Sequence, residues 1–377
     1  MSANYADLPL HNGHVPQWML KIMREFTEVI TKFIIEEKGV NNFINALSDP
    51  LWFQAFNNAI GMDWDSSGST TVLLSLIKDV SMKNDLGFLV FGGKGKQMLN
   101  IKDELNNYSK KYDLDINNIM KFSKIAAKAD SSFLLDGYSL YIHTIIVPVE
   151  GKDLLVIQQG MNPNNLMARR YHVNKAALEN PNSGITGIKV DNVIDATSEE
   201  SRNARKLFID LLSEGKNKFR DNLVQANNML GRKSLDYFIS NQVNKINIGK
   251  YYYPIIPSKK LLKAVDDIAK NPPSNEIELA LTPNVGPRLV RALALISDVI
   301  YSVPVSHKDP VNLSLDPFSY SYTIGGKDGI PYPFDAKTAK EAIEFLRNAL
   351  EEARINDNAK KLAIQRLNTF IRRLKFG

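Results

Sequence analysis

Leu281-Thr282-Pro283-Asn284-Val285-Gly286-Pro287-Arg288-Leu289-Val290-Arg291 is the stretch from which the rest of the chain is best read. Pro283 closes whatever precedes it, and Asn284 is one of the few non-glycine residues that tolerates positive φ. Gly286 supplies a second permissive position. Pro287 stands where the first turn of a new helix accepts it. Beyond it Leu289, Ala292, Leu293, Ile296 and Ile300 repeat at helical spacing. The pattern predicts a helix, a tight hairpin and a second helix. Such a turn aims free backbone N–H groups at one point with a helix N-terminus behind them, which suits an anion. Arg288 and Arg291 stand beside it. An ordinary junction between two helices is the competing reading.

The segment resembles the helix-hairpin-helix motif, which grips the nucleic-acid backbone without reading sequence. That resemblance implies DNA as partner, with Asn284, Gly286, Arg288 and Arg291 as contacts. The C-terminal stretch points the same way. Between Ala359 and Gly377 lie Lys360, Lys361, Arg366, Arg372, Arg373 and Lys375, with no acid. Removing these six from the 47 basic residues leaves 41, matched by 41 acidic residues, so the net charge of +6 is carried here. Leu362, Leu367, Phe370, Ile371 and Leu374 fall near one helical face. A basic amphipathic helix follows DNA phosphates, caps a fold or lies on a membrane surface. Beside the hairpin, DNA through Arg372 and Arg373 is the favoured reading.

At 377 residues the chain is long enough for two or three domains, and 44% hydrophobic residues suffice for their cores. Absence of cysteine excludes disulfides, thiolate metal sites and cysteine nucleophiles. It fits a reducing cytoplasm. The N-terminal residues lack a basic region followed by an apolar run, so no signal peptide is expected. No uncharged apolar stretch is long enough to span a bilayer.

Residues 16–84 read as helical. Pro16 opens a helix with Met19, Ile22, Phe26, Ile30 and Phe33 on one face. Asp49-Pro50 begins another, 61–69 reads as a loop, and a third helix starts at Thr70. Residues 86–91 read as a buried strand, followed by helices near 103–111 and 116–129. Tyr138–Val149 and Leu154–Gln159 form the clearest β-hairpin. A two-residue turn at Gly151-Lys152 would pair His143 with Gly160 and Gln158 with Ile145. Tyr141, His143 and Gln158 would then share a face, with Thr144 and Gln159 on the other. A further strand is expected at 185–190, a charged helix from Ser198, and a linker within 214–256. From Pro257 the chain reads as helical, interrupted by a Pro/Gly-rich segment at 302–335. The expected class is α+β and mainly helical: a small mixed or antiparallel sheet in an N-terminal domain (1–195), a long helix and linker (196–256), and an all-helical C-terminal domain (257–377).

Several motifs point to one family. Ala6-Asp7-Leu8-Pro9-Leu10-His11, Ser48-Asp49-Pro50-Leu51-Trp52-Phe53-Gln54, Gly92-Gly93-Lys94-Gly95-Lys96, Asp136-Gly137-Tyr138, Gln158-Gln159-Gly160-Met161-Asn162 and Gly325-Gly326-Lys327-Asp328-Gly329 together resemble an archaeal and bacterial family known only as domain of unknown function 763. The resemblance spans nearly the whole chain and implies no established activity.

Chemistry must therefore be argued from residues. Asp130 and Asp136 lie just upstream of the hairpin, His143 and Gln158 within it, and Arg169, Arg170 and His172 just downstream. Asp, Gln, His and paired Arg around a small sheet suit a polar cleft for metal-assisted phosphodiester hydrolysis, with Asp136 as ligand to Mg²⁺ or Mn²⁺. A single strand histidine also serves as a structural hydrogen-bonder. The lysines of Gly92–Lys96, Lys94 and Lys96, are candidates for DNA phosphate. The segment lacks a Walker A ending, so no nucleotide cofactor is expected. Asp63 and Asp65 precede a hydroxyl-rich helix start; they either share a cation or complement a helix capped by Ser69 or Thr70. His11 and His14, with Asp7, form a weaker metal candidate. Lys327 lies where a rigid loop could present it to DNA or where the chain merely crosses between helices. Asp309 follows the hairpin at about the distance of the essential Asp in helix-hairpin-helix DNA glycosylases. That similarity makes it a second candidate carboxylate. Taken together, the sequence points to a DNA-binding, DNA-processing protein of the repair type, with a metal-dependent nuclease first, a glycosylase second and a non-enzymatic scaffold third.

Overall fold

The computed structural model describes residues 8–10, 13–62, 66–175, 184–231, 251–311 and 333–353. Within them the chain is α+β, as the sequence predicts, with one antiparallel sheet of order β1-β6-β5-β4-β2. Its strands are β1 (Leu8–Pro9), β2 (Phe88–Lys94), β4 (Ser139–Pro148), β5 (Leu155–Asn162) and β6 (Met167–Val173). A short β7 (Ile185–Thr186) adds to β6, and β3 (Leu134–Leu135) pairs separately with β8 (Ile194–Asp195).

Both faces of the sheet are covered. On one lie α1 (Gln17–Lys38), α2 (Val40–Ser48), α3 (Pro50–Ala59) and α4 (Ser67–Lys83). Helix α3 starts where Asp49 accepts hydrogen bonds from the amides of Leu51 (2.8 Å) and Trp52. Helix α4 starts earlier than its apolar pattern suggests. Ser66 caps it by accepting from Gly68 N, while Ser69 and Thr70 turn inward. On the other face lie α5 (Ile101–Ser109) and α6 (Ile116–Lys128), packed on Phe91, Ile145, Val147 and Val156.

A second core begins at Ile194 and is built from α7 (Arg202–Ser213), α8 (Gly215–Gly231), α9 (Lys259–Ala269), α10 (Glu276–Leu281) and α11 (Pro287–Val299). Residues 215–231, the first part of the segment within which a linker is expected, are helix. Phe219, Leu223 and Ala226 recur on one face and are fully buried. The C-terminal segment also divides. Helix α12 (Ala336–Ala353) leaves the second core and lays Ala339, Ala342, Ile343 and Leu346 on the α1 side of the first. Phe133 and Leu135 reach from the sheet layer into the second core, so the two cores share a seam at α6 and β3. Among the described residues no helix is long and apolar enough to cross a membrane.

Candidate functional site

The hairpin of β4 and β5 differs from the expected register. Its connection is longer than two residues and is centred one residue earlier than Gly151-Lys152, so His143 stands opposite Gln158 rather than Gly160. An irregularity between Leu140 and Ile142 leaves Tyr141 unpaired. A bulged residue is displaced from simple alternation. Tyr141 accordingly accepts from Gln159 Nε2 on the α4 side, not on the His143 face where alternation alone puts it.

On the α6 side, four buried side chains form one chain of hydrogen bonds. His143 Nδ1 is 2.6 Å from Gln158 Oε1, and His143 Nε2 is 2.8 Å from Ser123 Oγ. The amide oxygen can only accept, so Nδ1 carries the proton and Nε2 receives the serine hydroxyl. Gln158 Nε2 donates onward to Ala126 O and to Asp130 Oδ2. Burial, ahead of the nearby charges of Asp136 and Asp195, pushes the Asp130 carboxyl well above its ordinary range. Burial also lowers His143, which keeps it neutral. Asp130 belongs to a π-type turn, Ala129–Phe133, that continues α6.

Asp136 lies next to this chain but belongs to another group. Its Oδ2 receives Arg169 Nη1 at 2.7 Å and the Tyr171 hydroxyl at 3.1 Å. Arg169 Nη2 donates to Asp309 Oδ2 and to Ile188 O, and Asp309 also accepts from Val190 N at 2.6 Å. One buried guanidinium thus neutralises two buried carboxylates. Asp309 is committed to holding segments together rather than facing an opening.

The next residue, Arg170, points to the opposite face of β6. It donates to Thr70 Oγ1 (2.7 Å) and Ser69 Oγ (2.9 Å) from α4, approaches Gln54 of α3, and lies 4.7 Å from the Phe53 ring centroid. His172 shares that face. Its Nδ1 donates to Leu47 O at 2.9 Å, and its Nε2 has no hydrogen-bond partner among the described residues. Burial, then Arg170, brings its pKa down to about 3. The structure therefore joins Asp130, His143 and Gln158, sets Asp136 beside them, and places His172 across the sheet. Arg169 and Arg170, expected at DNA, are wholly buried and expose no charge. Among the described residues no group of three or more His, Asp or Glu can hold a metal ion. Asp136 in particular is already paired with an arginine.

Gly92 and Gly93 belong to β2 rather than to a loop after it. Gly92 (φ +88) has its amide on Glu104 Oε2 and its carbonyl on Lys78 Nζ, and a Cβ there would collide with His143 O. These glycines serve close strand approach. Lys94 and Lys96 are exposed. Asp63, Asp65, His11, Lys327, Arg372 and Arg373 lie outside the described residues. His14 is exposed.

At the hairpin between α10 and α11, Asn284 has φ +67 as expected, and Pro287 begins α11. Gly286 differs from expectation. It is the N-cap, with φ −136 and ψ 177, an extended conformation open to any residue. Val285 is fully buried, and its carbonyl accepts from Lys128 of α6. Around this anchor the amides of Asn284, Gly286 and Arg288 take no acceptor among the described residues. Asn284 and Arg288 are exposed, and Arg288 Nη2 reaches Ile256 O at 3.1 Å. Arg291 is half-buried, 5.1 Å from the Tyr253 ring centroid.

Beside the hairpin opens a cavity of about 520 Å³, bordered by Pro287, Arg291, Met98, Leu99, Tyr138 and His143. Sequence reasoning singles out neither Ser123 nor this cavity. The one signal for Ser123 is a hydroxyl on the buried face of α6, among Ile119, Phe122 and Ala126.

Comparison with curated proteins and with solved structures finds no match. A family model described as "Protein of unknown function (DUF763)" matches residues 4–334. With most of its length under that match, the chain belongs to the DUF763 family.

Proposed function

We propose that the protein binds DNA, holding the phosphate backbone at the α10–α11 hairpin. The observation that carries this reading is the set of amides at Asn284, Gly286 and Arg288, unshared among the described residues, at the mouth of a helix N-terminus. Backbone N–H groups in this arrangement favour an anion, and the helix dipole adds to them. Val285 and Lys128 fix the turn from beneath, so the donors are held in place before a ligand arrives. Arg288 is an exposed cation on the first turn. The contact is to phosphate, so the binding is indifferent to base sequence.

The described residues supply no metal-ligating set, and Asp309 is enclosed by Arg169 and Val190. The geometry therefore favours a binding function over the nuclease and glycosylase readings.

Binding of labelled duplex, forked and single-stranded DNA across a salt series tests this. Log affinity should fall linearly with log salt, with a slope near the number of phosphates neutralised. Each cationic phosphate partner removed by mutation should reduce that slope by about one. A Cβ at Gly286 meets no atom of the described residues within 4 Å. Gly286→Leu should therefore leave the fold intact and weaken binding by at least about tenfold, by blocking phosphate approach. Salt-independent binding, or none, rules the reading out.

A further inference from the structure

Helix α11 starts at the hairpin amides and one turn later borders the 520 Å³ cavity. Pro287 and Arg291 form one rim. Met98 and Leu99, which follow the Gly92–Lys96 segment, form the other. Leu99 is 74% exposed, an apolar side chain left uncovered at the mouth.

The interior is apolar in effect. Tyr138 and Leu140 supply a ring and an aliphatic surface. The polar groups that reach the cavity are already committed inward. His143 has both ring nitrogens bonded to Ser123 and Gln158, and Asp136 is held by Arg169 and Tyr171. Ser139 of β4 and Ser131 add hydroxyls, the latter from the π-type turn in the wall, a local geometry that recurs at functional sites. The cavity volume lies within the range of small-ligand pockets.

A ligand that engages both features needs an anion at one end and a flat body with apolar faces at the other. That is a nucleotide. We propose that this cavity receives a base extruded from a DNA strand whose phosphate is held at the α10–α11 hairpin. The inference rests on the DNA-binding reading above and adds the site at which the bound strand is inspected. The Lys128–Val285 contact ties the hairpin to α6, and Ala127 of α6 forms a cavity wall, so grip and receptor share this helix. Extrusion costs stacking and pairing energy, least at mismatched or damaged positions. The cavity offsets that cost by removing the base faces from water and placing one beside Tyr138.

The test uses duplexes carrying the fluorescent base analogue aminopurine in a mismatch, with the full-length protein. Binding is followed separately by anisotropy. At saturation, aminopurine emission should rise several-fold as the base leaves the stack. Ala127→Phe fills the cavity from its wall and should abolish the rise while changing affinity less than about threefold. Leu99→Asp, at an exposed position where folding is not at stake, should reduce it. Tight binding without a rise, or a rise that survives both variants, overturns the extrusion site and leaves the hairpin grip standing. Absence of binding overturns both. Free aminopurine nucleoside monophosphate binding in an Ala127-dependent way, with no rise in DNA, overturns the strand form of the proposal.

Discussion

The central sheet and the α10–α11 hairpin both carry residues that look chemical in sequence, and they treat polar atoms in opposite ways. In the sheet, Ser123, His143, Gln158 and Asp130 bond to one another, and Asp136 and Asp309 share Arg169. At the hairpin, the amides of Asn284, Gly286 and Arg288 take no acceptor among the described residues. Polar groups turned on each other hold a fold together. Groups left over at a surface, next to a rigid anchor, are available to a ligand. The distinction is physical: a buried donor without a partner is costly, whereas an exposed one costs nothing until something better than water arrives.

The sharpest way to break this comparison is Arg169→Met. If Arg169 holds two buried carboxylates, its loss leaves Asp136 and Asp309 uncompensated and costs about 3–5 kcal/mol in urea unfolding. A loss well under about 1 kcal/mol would show that the sheet network is not structural. Gly92→Ala comes next. Its φ of +88 and the collision of a Cβ with His143 O predict a loss of roughly 2–4 kcal/mol, read by thermal or urea unfolding.

pH separates the two sheet faces. His172, with its pKa brought down from 6.5 to about 3, binds less proton folded than unfolded. Its contribution to stability is present above pH 6.5 and is lost as pH falls toward 3, at up to roughly 1.4 kcal/mol per unit. His172→Gln keeps a donor for Leu47 O and should flatten that slope in unfolding measured across the window. Asp130 runs the other way. Its carboxyl is raised, so its contribution is present in acid and is lost as pH rises past the ordinary carboxylate range. Asp130→Asn still accepts from Gln158 and should remove that fall. Unchanged pH profiles in both variants would show that these groups do not titrate as their burial requires.

Much of the fold is legible in sequence, and the limit has a clear cause. The hairpin is specified by Pro283, Asn284 and Pro287 acting within a few residues, so local rules suffice. That Arg169 and Arg170 occupy opposite faces follows from strand alternation. That both are buried does not. The carboxylates that permit it for Arg169 lie 33 and 140 residues away, and charged residues are ordinarily exposed unless paired. The β4–β5 register escapes a local reading because the bulge at Tyr141 and the longer connection are tertiary accommodations. Ser123 escapes it because its partner comes from another element. The cavity is assembled from turn, helix, strand and hairpin residues that no local pattern brings together.

The smallest expected change is the most discriminating for the hairpin. Asn284 is exposed, has φ +67, and contributes to the proposed grip through its backbone rather than its carboxamide. Glycine accepts the same conformation, relieving the steric cost of a Cβ while adding entropy to the unfolded chain. These oppose each other, so Asn284→Gly should leave stability within about 0.5 kcal/mol and DNA affinity within about twofold. A large drop in affinity at unchanged stability would move the contact from the amides to the Asn284 side chain. The hairpin would then resemble the sheet, with side chains rather than backbone carrying its chemistry, and the contrast between the two regions would dissolve.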